Sequence, residues 1–108
     1  MLKSETREDA LARLGRALAD PTRCRILVAL LDGVAYPAQL ADHLGLTRSN
    51  VSNHLACLRG CGLVAASYEG RQVRYALADA HLERALTELV KVVLAVDTAQ
   101  TCIDGTVG

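Results

Sequence analysis

The stretch from Pro37 to Leu58 leaves this chain few folding options. Pro37 opens a short segment whose apolar residues Leu40, Ala41 and Leu44 recur at helical spacing. Gly45 interrupts it. Thr47 then stands where a helix N-cap belongs, and Val51, Leu55 and Leu58 follow at i, i+4 and i+7. A short helix, a Gly-containing turn and a second helix with a polar outer face make a helix-turn-helix. Gly60 and Gly62 end the second helix, and the period then changes. Residues 63–68 and 72–77 are predicted strands, with Val73, Tyr75 and Leu77 alternating and Glu69-Gly70 as the turn. A hairpin directly behind a helix-turn-helix is a wing.

Helices are predicted on both flanks. Ala10, Leu11, Leu14, Ala17 and Leu18 keep helical spacing over residues 5–19. Asp20-Pro21 restarts the chain, Asp20 as cap and Pro21 at the first helical position, for a second helix to about Leu31. Asp79 caps a last helix expected to reach Val96. Its apolar stripe is wider than one core contact needs, so it is expected to cover a partner subunit as well. The expected fold is all-α with a small β-hairpin: a winged helix-turn-helix domain over residues 1–97, homodimeric, with a flexible tail over residues 98–108.

Composition narrows the function. The 108 residues, 51% hydrophobic, suit one modest domain. With no Phe, no Trp and three Tyr, a stacking platform for single strands is not expected. There is no membrane-length apolar run and no signal-peptide pattern, so a cytoplasmic protein with no membrane partner is expected. No general base stands beside a nucleophile, so neither an enzyme nor a small-molecule substrate is expected. The 12 basic and 12 acidic residues cancel. Yet Arg48, Arg59, Arg71 and Arg74 against Glu69 leave +3 between Leu44 and Leu77, and −3 elsewhere. Such asymmetry localises phosphate contacts on a neutral protein.

Two sets of residues carry the chemistry. Ser49, Ser52 and Asn53 lie opposite the Val51-Leu55-Leu58 stripe, with Thr47 and Arg48 at the helix start. These types reach base edges and phosphates when a helix N-terminus enters a major groove, whereas a plain solvated face has no need of such poor helix formers. Arg71 and Arg74 flank the wing tip, as phosphate or minor-groove contacts or as simple surface charge. The second set is cysteine. Cys57 and Cys61 share one helix face, spaced for one metal to bridge; C-x3-C is also compatible with two half-buried structural thiols. Cys102, in a polar tail, has no packing reason to exist and offers a third thiolate. Three thiolates favour a large soft cation over Mg2+ or Ca2+, and over structural zinc, which closes a tetrahedral set. Cys24, between Arg23 and Arg25, is read first as a boundary residue and second as a further thiol. Asp79 and His81 are read as a cap and a surface histidine.

The strings SNVSNHLACLRGCGLV and SYEGRQVRYAL, preceded by ALADPTRCRILVAL, resemble the ArsR/SmtB winged-helix repressors over nearly the whole chain. The resemblance implies a homodimer that holds operator double-stranded DNA and releases it when metal binds. The family's Cys-x-Cys site at the start of the third helix is absent here, where Tyr36 and Ala38 stand. Its last-helix site begins with a match at Asp79 and His81 and fails at Val92 and Ala95. Cys57, Cys61 and Cys102 instead match the ligands of the family's cadmium and lead sensors, in which Cys24 also has a counterpart. The resemblance thus implies Cd(II) or Pb(II) as effector, with Zn(II) the weaker candidate; thiolate chemistry alone does not choose among these and mercury. The alternatives are a thiol redox sensor of the same fold, and a structural metalloprotein or interaction module that never binds DNA.

Overall fold

The computed structural model describes residues 5–92. The element order is α1 (Arg7–Leu18), α2 (Pro21–Leu31), α3 (Pro37–Leu44), α4 (Arg48–Gly60), β1 (Val64–Glu69), β2 (Gln72–Leu77) and α5 (Ala80–Leu89). Each boundary has a local cause. The Asp20 carboxylate accepts from the backbone N–H groups of Thr22 and Arg23, at 2.8 and 3.2 Å, and Pro21 presets the first helical φ. Gly45 closes α3 in the left-handed conformation (φ 68°), which the reversal into α4 requires. The Thr47 hydroxyl accepts from Asn50 N–H at 3.0 Å and starts α4.

Three boundaries differ from the sequence expectation. Helix α1 begins later, because Thr6 and Asp9 form a reciprocal capping box that fixes the start at Arg7. The hairpin loop is Gly70-Arg71, since Glu69 pairs with Gln72 across the antiparallel strands. A loop at Glu69-Gly70 would demand positive φ at a glutamate; placing Gly70 first (φ 61°) gives that conformation to the residue without a Cβ. Helix α5 ends at Leu89 instead of continuing toward Val96, and Lys91 and Val92 close it with tighter bonds to the carbonyls of Glu88 and Leu89. Beyond Leu89, three of the next four residues are β-branched valines, weak helix formers. The expected continuation over residues 93–96 and the tail over residues 98–108 lie outside the described residues.

The core forms where α2, α3 and α4 meet the first residues of β1. Ile26, Leu27, Leu40, Val51, Leu55 and Leu58 are its fully buried members, each contributing about 1.5–3 kcal/mol of transfer free energy. Three of the six form the inner stripe of α4, so the core fixes that helix in rotation as well as position. Arg25 donates to the Leu44 carbonyl at 2.6 Å and ties α2 to the end of α3. Tyr75 N–H donates to the Ala35 carbonyl at 2.8 Å, which joins β2 to the approach to α3.

Burial is uneven at the edge of the domain. Of the expected α1 stripe only Ala17 is buried; Leu11 is 67% exposed. On α5 only Leu86 is buried, while Leu89, Val90 and Val92 are exposed. Among the described residues, the apolar stripe that starts on α5 is therefore only partly covered within one chain.

Leu58→Ala should lower unfolding free energy by about 2–5 kcal/mol in urea denaturation, the cost of a buried leucine truncated to a cavity. A loss below about 1 kcal/mol would mean the core is not built around this stripe.

Candidate nucleic-acid interface and thiol site

Because Val51, Leu55 and Leu58 point inward, the opposite face of α4 is fixed in solvent. Arg48, Ser49, Ser52 and Asn53 are all exposed there, behind the cap residue Thr47. Arg71 occupies the hairpin loop and Arg74 lies on β2 opposite Ser67, both exposed. The N-terminal half of α4 and the wing thus present donors and positive charge, the chemistry that phosphates and base edges accept.

The wing is held by a contact invisible in the sequence. Tyr36, just before α3, donates its hydroxyl to Glu69 Oε1 at 2.7 Å. That hydrogen bond to the carboxylate raises the Tyr36 pKa above 10, with desolvation and the Glu69 charge adding in the same direction. The bond spans 33 residues, so no local pattern signals it. It anchors the end of β1 to the entrance of the helix-turn-helix and so sets the wing's reach. At the other side of the motif, the Asp20 pKa is lowered, first by the backbone hydrogen bond from Arg23; partial desolvation opposes this, and Thr22 N–H and the charges of His54 and Arg23 reinforce it.

The two thiols on α4 differ in setting. Cys61 caps the helix, its N–H bonded to the Cys57 carbonyl at 3.0 Å, and its half-buried side chain packs on the core. Cys57 is exposed, and its Sγ accepts from Arg23 Nη1 at 3.4 Å. They stand one helical turn apart, beyond the exposed Arg48, Ser49, Ser52 and Asn53 on the same element. Among the described residues no three His, Cys, Asp or Glu side chains converge as a metal set. The expected third ligand, Cys102, lies outside the described residues. Cys24 follows its boundary reading: half-buried, its thiol donates to the Leu18 carbonyl at 3.0 Å. Asp79 caps α5 through His81 N–H at 3.3 Å, and Arg84 donates to His81 Nδ1 at 2.8 Å. That pair is occupied with local structure.

This geometry has close counterparts among known proteins. Residues 20–66 match the model for bacterial regulatory proteins of the arsR family. The HTH-type transcriptional regulator CmtR of Mycobacterium tuberculosis is 84% identical over 103 residues, covering 95% of this chain and 87% of that one. The chain belongs to the arsR family. The NMR structure of the cadmium metal-sensor CmtR from the same organism superposes with a TM-score of 0.68 at 86% identity, covering 85% of this chain and 96% of that one. A homodimeric winged helix-turn-helix DNA-binding domain of Mycobacterium bovis superposes at 0.69 with 32% identity, covering 84% and 90%. As an arsR-family protein the chain is a winged-helix transcriptional regulator and not an enzyme, and the helix-turn-helix is its DNA-binding element. No helix among the described residues is long and apolar enough to cross a membrane.

Two measurements check the anchors around this motif. Tyr36→Phe should speed amide exchange in the hairpin while leaving the helices protected; unchanged exchange would show that Glu69 does not need the phenol. The Tyr36 contribution is complete below its ordinary pKa of 10 and disappears as pH rises through the raised value. Asp20 behaves in the opposite sense: its contribution is present above 3.8 and is lost as pH falls through the lowered value. Asp20→Ala should therefore cost about 1 kcal/mol at neutral pH and progressively less toward strongly acidic pH, measured by denaturant unfolding; a pH-independent cost would contradict the cap.

Proposed function

We propose that this regulator is a cytoplasmic, homodimeric, metal-responsive repressor that releases operator DNA when a soft cation binds its thiolates. The observation that carries the reading is the thiol pair Cys57 and Cys61 on the very helix whose N-terminal half carries the residues assigned to DNA contact. Its 84% identity with CmtR, whose structure is that of a cadmium metal-sensor, supports cadmium as effector. Lead rests on the resemblance to the family's cadmium and lead sensors, and zinc is the weaker candidate because it prefers a closed tetrahedral set. The residues present fit such an ion: one thiol is exposed, the other half-buried, and both lie one turn apart on a rigid helix. Cys57 and Cys61 would hold it together with Cys102, which the segment 98–108 brings. When bound, the ion supplies a crosslink among its thiolates.

DNA recognition is assigned to Thr47, Arg48, Ser49, Ser52 and Asn53 in a major groove, and to Arg71 and Arg74 on the flanking backbone. Dimerisation is assigned to residues 1–97. The exposed Leu11, Leu89, Val90 and Val92 supply apolar surface for it, and the homodimeric M. bovis neighbour supports it. Cys24 is a secondary thiol at most, since its hydrogen already serves the Leu18 carbonyl.

Arg48→Ala and Arg74→Ala should each weaken duplex binding across sequences and reduce the salt slope by about one phosphate contact. An unchanged slope would remove that arginine from the interface. Anaerobic cadmium titration should give one principal site per subunit with a thiolate-to-metal charge-transfer band. Cys57→Ser or Cys61→Ser should nearly abolish the band, and Cys102→Ser should leave a weaker two-thiolate remnant. Binding should tighten with rising pH, because thiols must lose protons. A band unaffected by Cys102→Ser would refute the three-thiolate set. Operator release by peroxide, reversed by dithiothreitol and indifferent to metal, would favour the redox alternative.

A further inference from the structure

One side chain reaches both the thiol pair and a different helix. Arg23, half-buried on α2, uses three edges of its guanidinium. Nε donates to the Ala17 carbonyl at 3.1 Å, Nη2 to the Arg16 carbonyl at 3.0 Å, and Nη1 to Cys57 Sγ at 3.4 Å. The two carbonyls belong to the last turn of α1, where backbone acceptors lack helical partners and the helix dipole is negative. The adjacent Cys24 thiol takes the next carbonyl, Leu18. The C-terminal turn of α1 is thus capped from α2, and the capping group also grips sulfur on α4. Only the planar, five-donor fork of arginine serves three acceptors on three sides at once.

We propose that Arg23 is a positioning residue that couples the Cys57 thiol to α1. Without metal it holds the end of α1 and the DNA-facing helix on one guanidinium. A cation shared by Cys57 and the other thiolates would fix the position of Sγ by its own bonds, and the Arg23 Nη1 contact at 3.4 Å depends on where that sulfur stands. Metal that draws Sγ toward Cys61 takes it away from the guanidinium, and α1 then loses its tether to α4. Helix α1 carries the exposed Leu11, so the release reaches the apolar surface assigned above to the partner subunit. The inference rests on the metal-sensing reading and adds the residue through which the thiol site communicates.

The test is operator affinity with and without one equivalent of cadmium, for wild type, Arg23→Lys and Arg23→Gln. Binding of cadmium is followed separately by the charge-transfer band, and folding by thermal melting. Lysine keeps the charge as a point and cannot serve three acceptors; glutamine removes the charge. Wild type should lose about 5–150-fold in operator affinity on taking up cadmium. Both variants should show the band at wild-type stoichiometry, yet lose less than about threefold. Wild-type coupling in the folded variants would overturn the inference while leaving metal sensing intact. No cadmium band in wild type would instead remove the metal-sensing reading itself. Cys57→Ala, which leaves Arg23 in place on an exposed position of α4, checks the same tether without metal and without disturbing the α1 cap. Exchange of the Ala19 amide, bonded to the Arg16 carbonyl at 3.3 Å, should accelerate at least about twofold as the end of α1 loosens. Unchanged Ala19 exchange would contradict the tether.

Discussion

The rotational setting of α4 is the constraint on which the rest depends. Val51, Leu55 and Leu58 are at most 1% exposed, and they commit one face of a thirteen-residue helix to the core. A helix has a fixed angular step, so this commitment also decides what solvent sees. Arg48, Ser49, Ser52 and Asn53 are turned outward at one end, while Cys57 and Cys61 come to the margin of the buried stripe at the other. A shift of one residue in the stripe would bury serine and expose leucine. The exposed polar group proposed to face DNA and the thiol pair are therefore carried by one helix, so a force on the thiols is a force on that polar surface.

Charge follows the same division. The chain is neutral overall, yet its helix-turn-helix and wing carry a surplus of arginine. These arginines do different work. Arg48, Arg71 and Arg74 are exposed to solvent, placed for the phosphate contacts proposed above. Arg23 and Arg25, on α2 outside that region, spend their donors on helix ends at Arg16, Ala17 and Leu44. Net charge alone would rank all of them as surface positives; the hydrogen bonds separate binding groups from structural ones.

Much of this was legible in the sequence because the strongest signals are local. Asp20-Pro21, Gly45 and Thr47 each specify a boundary through the backbone of their immediate neighbours, and the periods of α4 and β2 stand within a dozen residues. The errors were also local. Thr6 and Asp9 satisfy a capping box that lies ahead of the apolar stripe, so periodicity alone overran it. The hairpin turn was displaced by one residue because a Glu-Gly pair matches the look of a turn, whereas φ at Gly70 decides which residue comes first. The valines after Leu89 continue the apolar pattern of α5 but not its helix propensity. What could not be read are the bonds between distant segments. Tyr36 to Glu69 and Arg23 to Cys57 each join residues more than thirty positions apart, and they exist only once α2, α4 and the wing are packed. The apolar surface left on α1 and α5 was visible as excess, though its cover is a matter of assembly.

If the thiol site and the DNA-facing surface belong to one body, each must report the state of the other. The most direct measurement is the cadmium affinity of the free protein against that of the operator complex, by competition with a chelator of known strength. Linkage requires that metal bind the complex more weakly by the same factor that metal weakens operator binding, about 5–150-fold for typical couplings. Equal cadmium affinity in the free protein and in the complex would contradict the account, leaving a DNA-binding protein whose thiols do not sense.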